Sequence, residues 1–131
     1  MRLLAVFALA AVFADSAFAG AGHYTLSATQ SCLAKGGLAV SVESPVPASL
    51  RKLTPYGTQG GLIWKESGNE GIYIEFGKTP AEAAAMRAAV IKLFGKSAGG
   101  AATVAKGNVM FYTNHFKLTG HETSTVLRCL H

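Results

Sequence analysis

The stretch that decides the fold is GLIWKESGNEGIYIEF, residues 61–76, in which two apolar runs flank a short polar segment that contains glycine. This pattern predicts a β-hairpin. Successive side chains of a strand point to opposite faces, so a loop that is longer by one residue reverses which side chains are buried. The hairpin therefore has two possible registers.

A three-residue loop over residues 68–70 collects the most apolar side chains on one face. That face carries Leu62, Trp64, Ile72, Ile74 and Phe76, and the other carries Ile63, Lys65, Tyr73 and Glu75. A two-residue loop instead places Trp64 opposite Tyr73, which leaves an aromatic pair on the less apolar face. We prefer the first register because burial of apolar surface is the main driving force of folding.

The segments before the hairpin predict one helix and one strand. Residues 24–37 have helical spacing of apolar positions and end in a glycine pair, which is typical of a helix C-terminus. Residues 38–43 alternate apolar and small or polar side chains, as a half-buried strand does. The next segment, residues 44–60, holds three of the four prolines. Its length indicates either a short helix over residues 48–53 or a functional loop.

Residues 79–95, TPAEAAAMRAAVIKLFG, form the clearest helix pattern of the chain. Thr79 is a suitable cap, Pro80 occupies the first helical position, and Glu82 completes a capping box. Alanine has the highest helix propensity, so the body of this segment favours a helix. Gly95 is the predicted end.

The remaining segments predict a second hairpin and a last helix. Residues 103–113 turn at Gly107 and Asn108, and residues 119–131 begin with another capping box. Together these elements predict an α+β fold with a mainly antiparallel sheet, helices on one face and the order α-β-ββ-α-ββ-α.

The segment over residues 1–19 is typical of a secretory signal peptide. It contains a positive charge at Arg2, an apolar run over residues 3–14 and the small-residue pattern Ala-Phe-Ala at its end. A membrane anchor is the alternative, but the run is shorter than the roughly 20 residues that span a bilayer. We expect cleavage after this segment and a single secreted or envelope domain over residues 20–131.

The chain has two cysteines, Cys32 in the first predicted helix and Cys129 in the last. Exported proteins meet an oxidising compartment that favours disulfides. We therefore expect a bond that joins the terminal helices, worth about 4 to 5 kcal/mol at most in the chain-entropy model. An intermolecular disulfide and two free thiols are the alternatives.

The net charge of +5 is unchanged when the signal-peptide segment is removed, because Arg2 and Asp15 leave together. Residues 20–131 then contain no aspartate, and their basic residues are spread along the chain. Such a charge favours anionic surfaces, for example cell-wall polymers or phospholipid headgroups. A plain solvated surface is the alternative. Nucleic acid is not a predicted partner, since the chain has no basic stripe.

A partner-binding surface is predicted in and near the proline-bounded segment. Exposed aromatic and arginine side chains are enriched at protein interfaces. The candidate residues are Leu50, Arg51, Lys52 and Tyr56 with the neighbouring Leu53, joined by Trp64 and Tyr73 if the second hairpin register holds. The alternative is that Leu50, Leu53 and Trp64 complete the core.

The sequence favours neither a metal site nor a catalytic site. Its histidines, His23, His115, His121 and His131, lack the convergent ligands that zinc needs. Copper capture by a free amino terminus would need cleavage between Gly20 and Ala21, which makes His23 the third residue. A Cys–His catalytic pair is incompatible with the expected disulfide, and the glutamates show no pattern of a paired acid and base. We predict no catalytic residues and no cofactor.

The motifs ATQSCL at residues 28–33, GNVMFY at 107–112 and VLRCL at 126–130, together with the signal peptide, give a resemblance. In layout the chain resembles small secreted bacterial proteins that carry no known activity. The resemblance implies a compact α+β domain closed by Cys32 and Cys129, and it implies no activity.

The function expected from these features is non-enzymatic binding of a partner protein or an anionic surface outside the cytoplasm. Two alternatives remain open. One is a small secreted enzyme or effector, and the other is a copper scavenger that uses His23. After signal cleavage the protein is not expected to be an integral membrane protein.

Overall fold

The computed structural model of the chain describes residues 22–45, 56–68, 70–99, 103–114 and 120–130. Among these residues, no helix has the length and apolar character required to cross a bilayer.

Some predictions fall on other parts of the chain. The expected signal peptide, residues 1–19, and the possible helix over 48–53 lie outside the described residues, as do Leu50, Arg51 and Lys52. These predictions stay predictions.

The described elements form an α+β fold. In chain order they are α1 (Leu26–Lys35), β1 (Ser41–Glu43), β2 (Gly61–Ser67), β3 (Glu70–Phe76), α2 (Pro80–Gly99), β4 (Val104–Lys106), β5 (Val109–Asn114) and α3 (Gly120–Cys129). The strands make one antiparallel sheet in the order β1-β2-β3-β5-β4. The predicted fold class and element order are confirmed, although β1 is shorter than the predicted strand.

The central hairpin combines a short turn with the predicted faces. Ser67 pairs with Glu70, so the predicted three-residue loop is wrong. A bulge between Lys65 and Ser67 then shifts the register, and Trp64 lies opposite Ile72. A bulge adds one residue to one strand only, which restores the alternation that a two-residue turn would have reversed. The preferred distribution of apolar side chains is therefore confirmed.

One face of the sheet packs against α1 and α3. Its buried cluster is Leu33, Leu38, Leu62, Ile72, Ile74, Phe76, Val109, Phe111, Val126 and Leu130. The two helices are joined by the Cys32–Cys129 disulfide, whose Cα atoms are 5.6 Å apart and 97 residues apart in sequence. The predicted link between the terminal helices is confirmed.

The other face packs against α2. The second buried cluster contains Ala83, Met86, Val90, Met110 and Tyr112. The prediction that all helices lie on one face therefore holds for α1 and α3 but not for α2. The physical reason lies in β5, which carries apolar side chains at every position of 109–112, so both of its faces require cover.

The start of α2 follows the predicted capping pattern with one change. Glu82 donates its N–H to Thr79 Oγ1 at 3.2 Å, while its own carboxylate accepts from the Lys78 N–H at 2.7 Å. The helix continues to Gly99, so the predicted end at Gly95 is wrong. A single glycine costs only about 1 kcal/mol in a helix, and the surrounding residues have high propensity.

Candidate functional site

A buried carboxyl lies near the end of the central strand, β3, on the side of the sheet that faces α2. The Glu75 side chain on β3 is only 1% exposed. Its Oε2 atom accepts the N–H of Gly57 at 2.8 Å. No amide or hydroxyl of the described chain donates to its other oxygen, Oε1. One donor is too few for a carboxylate removed from water, so the site favours the neutral acid.

A second carboxyl lies next to the first. Glu43 pairs with Gly61, and Gly61 pairs with Glu75, so the three residues form one row across three strands. Directly opposed residues of antiparallel strands point to the same face. A Cβ on Gly61 would lie 2.6 Å from Glu75 Oε2. Glycine at this position therefore leaves the space in which the two carboxyl groups meet.

The environment changes the acidity of Glu75. Burial raises its pKa to about 8, the Gly57 N–H opposes this shift, and the neighbouring Glu43 carboxyl raises the pKa further. At pH 7 Glu75 is therefore mainly protonated and uncharged. A protonated carboxyl can donate a hydrogen bond as well as accept one.

Three aromatic rings, which we call the aromatic stack, continue from this pair towards the surface. Tyr73 and Tyr112 are cross-strand neighbours whose ring centroids are 5.1 Å apart, with planes inclined by 14°. Phe94 of α2 stacks on Tyr112 at 6.0 Å. Burial raises the pKa of the Tyr112 hydroxyl, and the nearby Glu75 raises it further. Phe94 is 39% exposed, so the stack reaches solvent.

The structure brings together some of the residues predicted for binding. Tyr56 is 40% exposed and lies close enough to Tyr112 to contribute to its raised pKa. Tyr73 belongs to the same neighbourhood. Trp64 packs against the cluster on the opposite face, so it cannot share a surface with Tyr73. The fold thus groups Tyr56 with Tyr73 and separates both from Trp64.

A cleft of about 240 Å³ opens where the segment before α1 meets the start of α2. Its lining includes His23, Gln59, Lys78 and Asn108. Asn108 accepts the Tyr24 N–H at 2.6 Å, and its amide donates to the carbonyl oxygens of Tyr24 at 3.0 Å and Gly77 at 2.9 Å. The buried asparagine therefore holds two chain segments in place and uses its polar atoms internally.

The exposed charged side chains of the described residues are mostly cationic. Its exposed cationic side chains are Lys35, Lys65, Lys78, Arg87, Lys92 and Arg128. Of the glutamate side chains that the structure describes, Glu66 alone is exposed; the others are buried or half-buried. Folding therefore leaves these cationic side chains exposed to water and buries most of the described carboxyl groups wholly or in part.

The burial of Glu75 and its raised pKa were not predicted from the sequence. An isolated glutamate that alternates with Tyr73 is typical of a strand's solvated side, and the sequence does not show that α2 covers that side. One signal was available: Gly61 stands in the partner strand, where a glycine often marks close approach of another group.

No metal centre is found among the residues with described positions: they contain no group of three His, Cys, Asp or Glu side chains able to hold an ion. His23 is exposed beside the cleft, and His121 lies in the first turn of α3. His115 and His131 are outside the described residues. No family model, curated protein or solved structure matches the chain.

Proposed function

We propose that this protein is a small non-enzymatic binding protein that works outside the cytoplasm and is held at an anionic surface of the cell envelope. The Cys32–Cys129 bond supports the compartment, because disulfides persist in oxidising environments. The signal-peptide pattern over residues 1–19 supports export.

The observation that carries the proposal is the charge asymmetry of the described surface. Exposed lysine and arginine side chains project into solvent, whereas Glu43, Glu75 and Glu82 are buried or half-buried. With Glu75 mainly neutral at pH 7, the effective net charge is nearly one positive charge above the formal +5. A field of this sign attracts polyanions from a distance and does not require a single basic cluster.

The experiment is co-sedimentation of the purified, disulfide-bonded protein with envelope fragments over a range of salt concentrations. We expect retention at low salt and release as salt rises, because the screening length falls to about 10 Å at 0.1 M. A combined charge reversal of exposed residues, Lys35→Glu with Lys65→Glu, should weaken retention. The substitution Glu66→Gln, which removes an exposed negative charge, is the matched control and should not weaken it.

Two outcomes would contradict the proposal. One is a protein that stays in the supernatant at low salt. The other is retention that changes neither with salt nor with the charge-reversed pair, since retention on the fragments would then not depend on charge.

A second candidate function is a small hydrolytic enzyme, and the Glu43–Glu75 pair favours it. A buried carboxyl with a raised pKa beside a second carboxyl is a pattern found in general acids and their partners. Glu75 would have to reach a substrate, which requires the Gly57 segment to move away from it. Hydrolysis of envelope polysaccharide that is lost on Glu75→Gln, with the fold retained, would support this candidate over the first.

A further inference from the structure

We propose that the exposed apolar side chains of α2, Leu93 and Phe94, are the part of the molecule that enters an anionic phospholipid surface. This inference rests on the proposed function and identifies the anionic surface as a phospholipid membrane. We call the two residues the apolar tip.

The apolar tip is exposed and one of its members is held in place. Leu93 is 58% exposed, and Phe94 is 39% exposed while its ring stacks on Tyr112. A side chain already ordered by stacking loses little conformational freedom when it inserts. The tip therefore offers an aliphatic group and, at low entropic cost, an aromatic group.

Cations accompany the apolar tip on the same helix. Lys92 precedes Leu93 and is exposed. Arg87, also exposed, stands seven residues before Phe94, which is two helical turns, so both lie on the same side of α2. Arg87 donates its Nε–H to the Thr103 carbonyl at 3.2 Å. Apolar groups flanked by lysine and arginine are typical of helices that lie in the headgroup region of anionic bilayers.

Tyrosine supports the choice of lipid over a polysaccharide or polyphosphate. Tyr56 is 40% exposed near the aromatic stack, whereas Tyr112 is buried behind Phe94 and supports its ring. Tyrosine rings favour the boundary between headgroups and acyl chains, where one end is apolar and the other hydrated. A polyphosphate would offer the apolar tip no apolar partner, and a polysaccharide would offer only the C–H faces of its sugar rings.

A second exposed apolar residue provides the internal comparison. Val42 on the edge strand β1 is 54% exposed, nearly as much as Leu93. It precedes Glu43, and it pairs with Leu62 on the face of the sheet opposite to α2. The proposal therefore assigns lipid contact to Leu93 and none to Val42.

The experiment measures binding to vesicles of phosphatidylcholine alone and of phosphatidylcholine mixed with phosphatidylglycerol. The proteins are the wild type, Leu93→Ser and the matched control Val42→Ser, each with its disulfide formed. We expect wild-type binding to the mixed vesicles only, unchanged by Val42→Ser. Leu93→Ser should weaken it about fivefold to tenfold, since insertion of the exposed part of a leucine side chain contributes roughly this much. Equal thermal midpoints of the three proteins would exclude a loss of fold.

The outcomes separate the two proposals. Equal binding of wild type and Leu93→Ser to the mixed vesicles would overturn the proposed insertion of the apolar tip. Attraction by charge would then remain as the basis of binding. Retention on envelope fragments without binding to either vesicle would overturn lipid as the partner and indicate a protein or wall polymer. A wild type that binds neither vesicles nor envelope fragments would contradict the proposed function itself.

Discussion

Glu43 and Glu75 lie on the two sides of Gly61, in one row across three strands, and the Glu75 carboxyl is buried between the sheet and the Gly57 segment. Two carboxyl groups this close cannot both ionise without mutual repulsion. Burial raises the pKa of Glu75, and the neighbouring Glu43 carboxyl raises it further, so the stability of the fold depends on pH.

Stability should fall as pH rises through the range between about 4.5 and 8. The pKa of Glu75 is raised from 4.5 to about 8, so the folded state keeps a proton that the unfolded state releases. The stabilisation is complete below the lower value and is lost progressively as pH rises to the upper one, with a total on the order of 5 kcal/mol. Urea unfolding at a series of pH values measures the slope.

Glu75→Gln should remove most of this slope, because the amide cannot ionise and its oxygen can still accept the Gly57 N–H. The variant should be more stable than the wild type at pH 9. Glu66→Gln, an exposed position on the same hairpin, is the control and should keep the wild-type slope. A slope that survives Glu75→Gln would place its origin elsewhere.

Gly61→Ala should destabilise the protein through the carboxyl pair. The new Cβ would lie 2.6 Å from Glu75 Oε2, so the carboxyl or the strand must move. We expect a loss of about 1 to 3 kcal/mol, as for other overpacked sites. Gly120→Ala is the matched control, since a Cβ there meets no atom within 4 Å. Equal thermal midpoints for the two variants would contradict the close contact.

Removal of the disulfide should have the largest effect on stability. Cys32 and Cys129 are 97 residues apart, and closing so long a loop contributes up to about 4 to 5 kcal/mol in the chain-entropy model. The double variant Cys32→Ser with Cys129→Ser should unfold at a much lower urea concentration than the oxidised wild type. Reduced wild type should unfold close to the double variant. Alkylation of both thiols in purified, non-reduced protein would show that the bond is not formed.

Asn108→Ala should cost about 2 to 4 kcal/mol, because it leaves the Tyr24 N–H and the Tyr24 and Gly77 carbonyl groups without partners at a buried position. Asn108→Asp should be at least as harmful, since a carboxylate would face two carbonyl oxygens. Gln59→Ala, on the exposed rim of the same cleft, should change the thermal midpoint little. A mild effect of Asn108→Ala would mean that water replaces the lost contacts.

Local patterns were sufficient to predict most of the fold. Thr79 caps α2 as its predicted capping pattern requires, and Gly107 adopts a φ of 55°, the left-handed conformation that its predicted hairpin turn needs. The cysteine pair was predictable because only one intramolecular pairing exists. These features depend on neighbours in sequence or on counting, so a single sequence contains them.

Features that depend on tertiary packing were not predictable in the same way. The bulge between Lys65 and Ser67 arises because burial of Trp64 and Leu62 on one face stabilises the fold more than a regular ladder of hydrogen bonds would. The position of α2 follows from which side of β5 remains uncovered once α1 and α3 have packed. The raised pKa of Glu75 depends first on its burial and then on Glu43, which is distant in sequence and meets it only through the strand order.

The disulfide secures the helices on one side of the sheet, α1 and α3, and leaves α2 on the other side to noncovalent contacts. A local opening that lifts α2 would keep both sulfurs bonded and the α1–α3 layer seated, so Met110 and Tyr112 could become accessible without global unfolding. The amide protons of α2 would then exchange with deuterium sooner than those of the two stapled helices. We therefore expect the α2 side, which carries the exposed rings of Tyr56 and Phe94, to open more readily than the side that the disulfide secures.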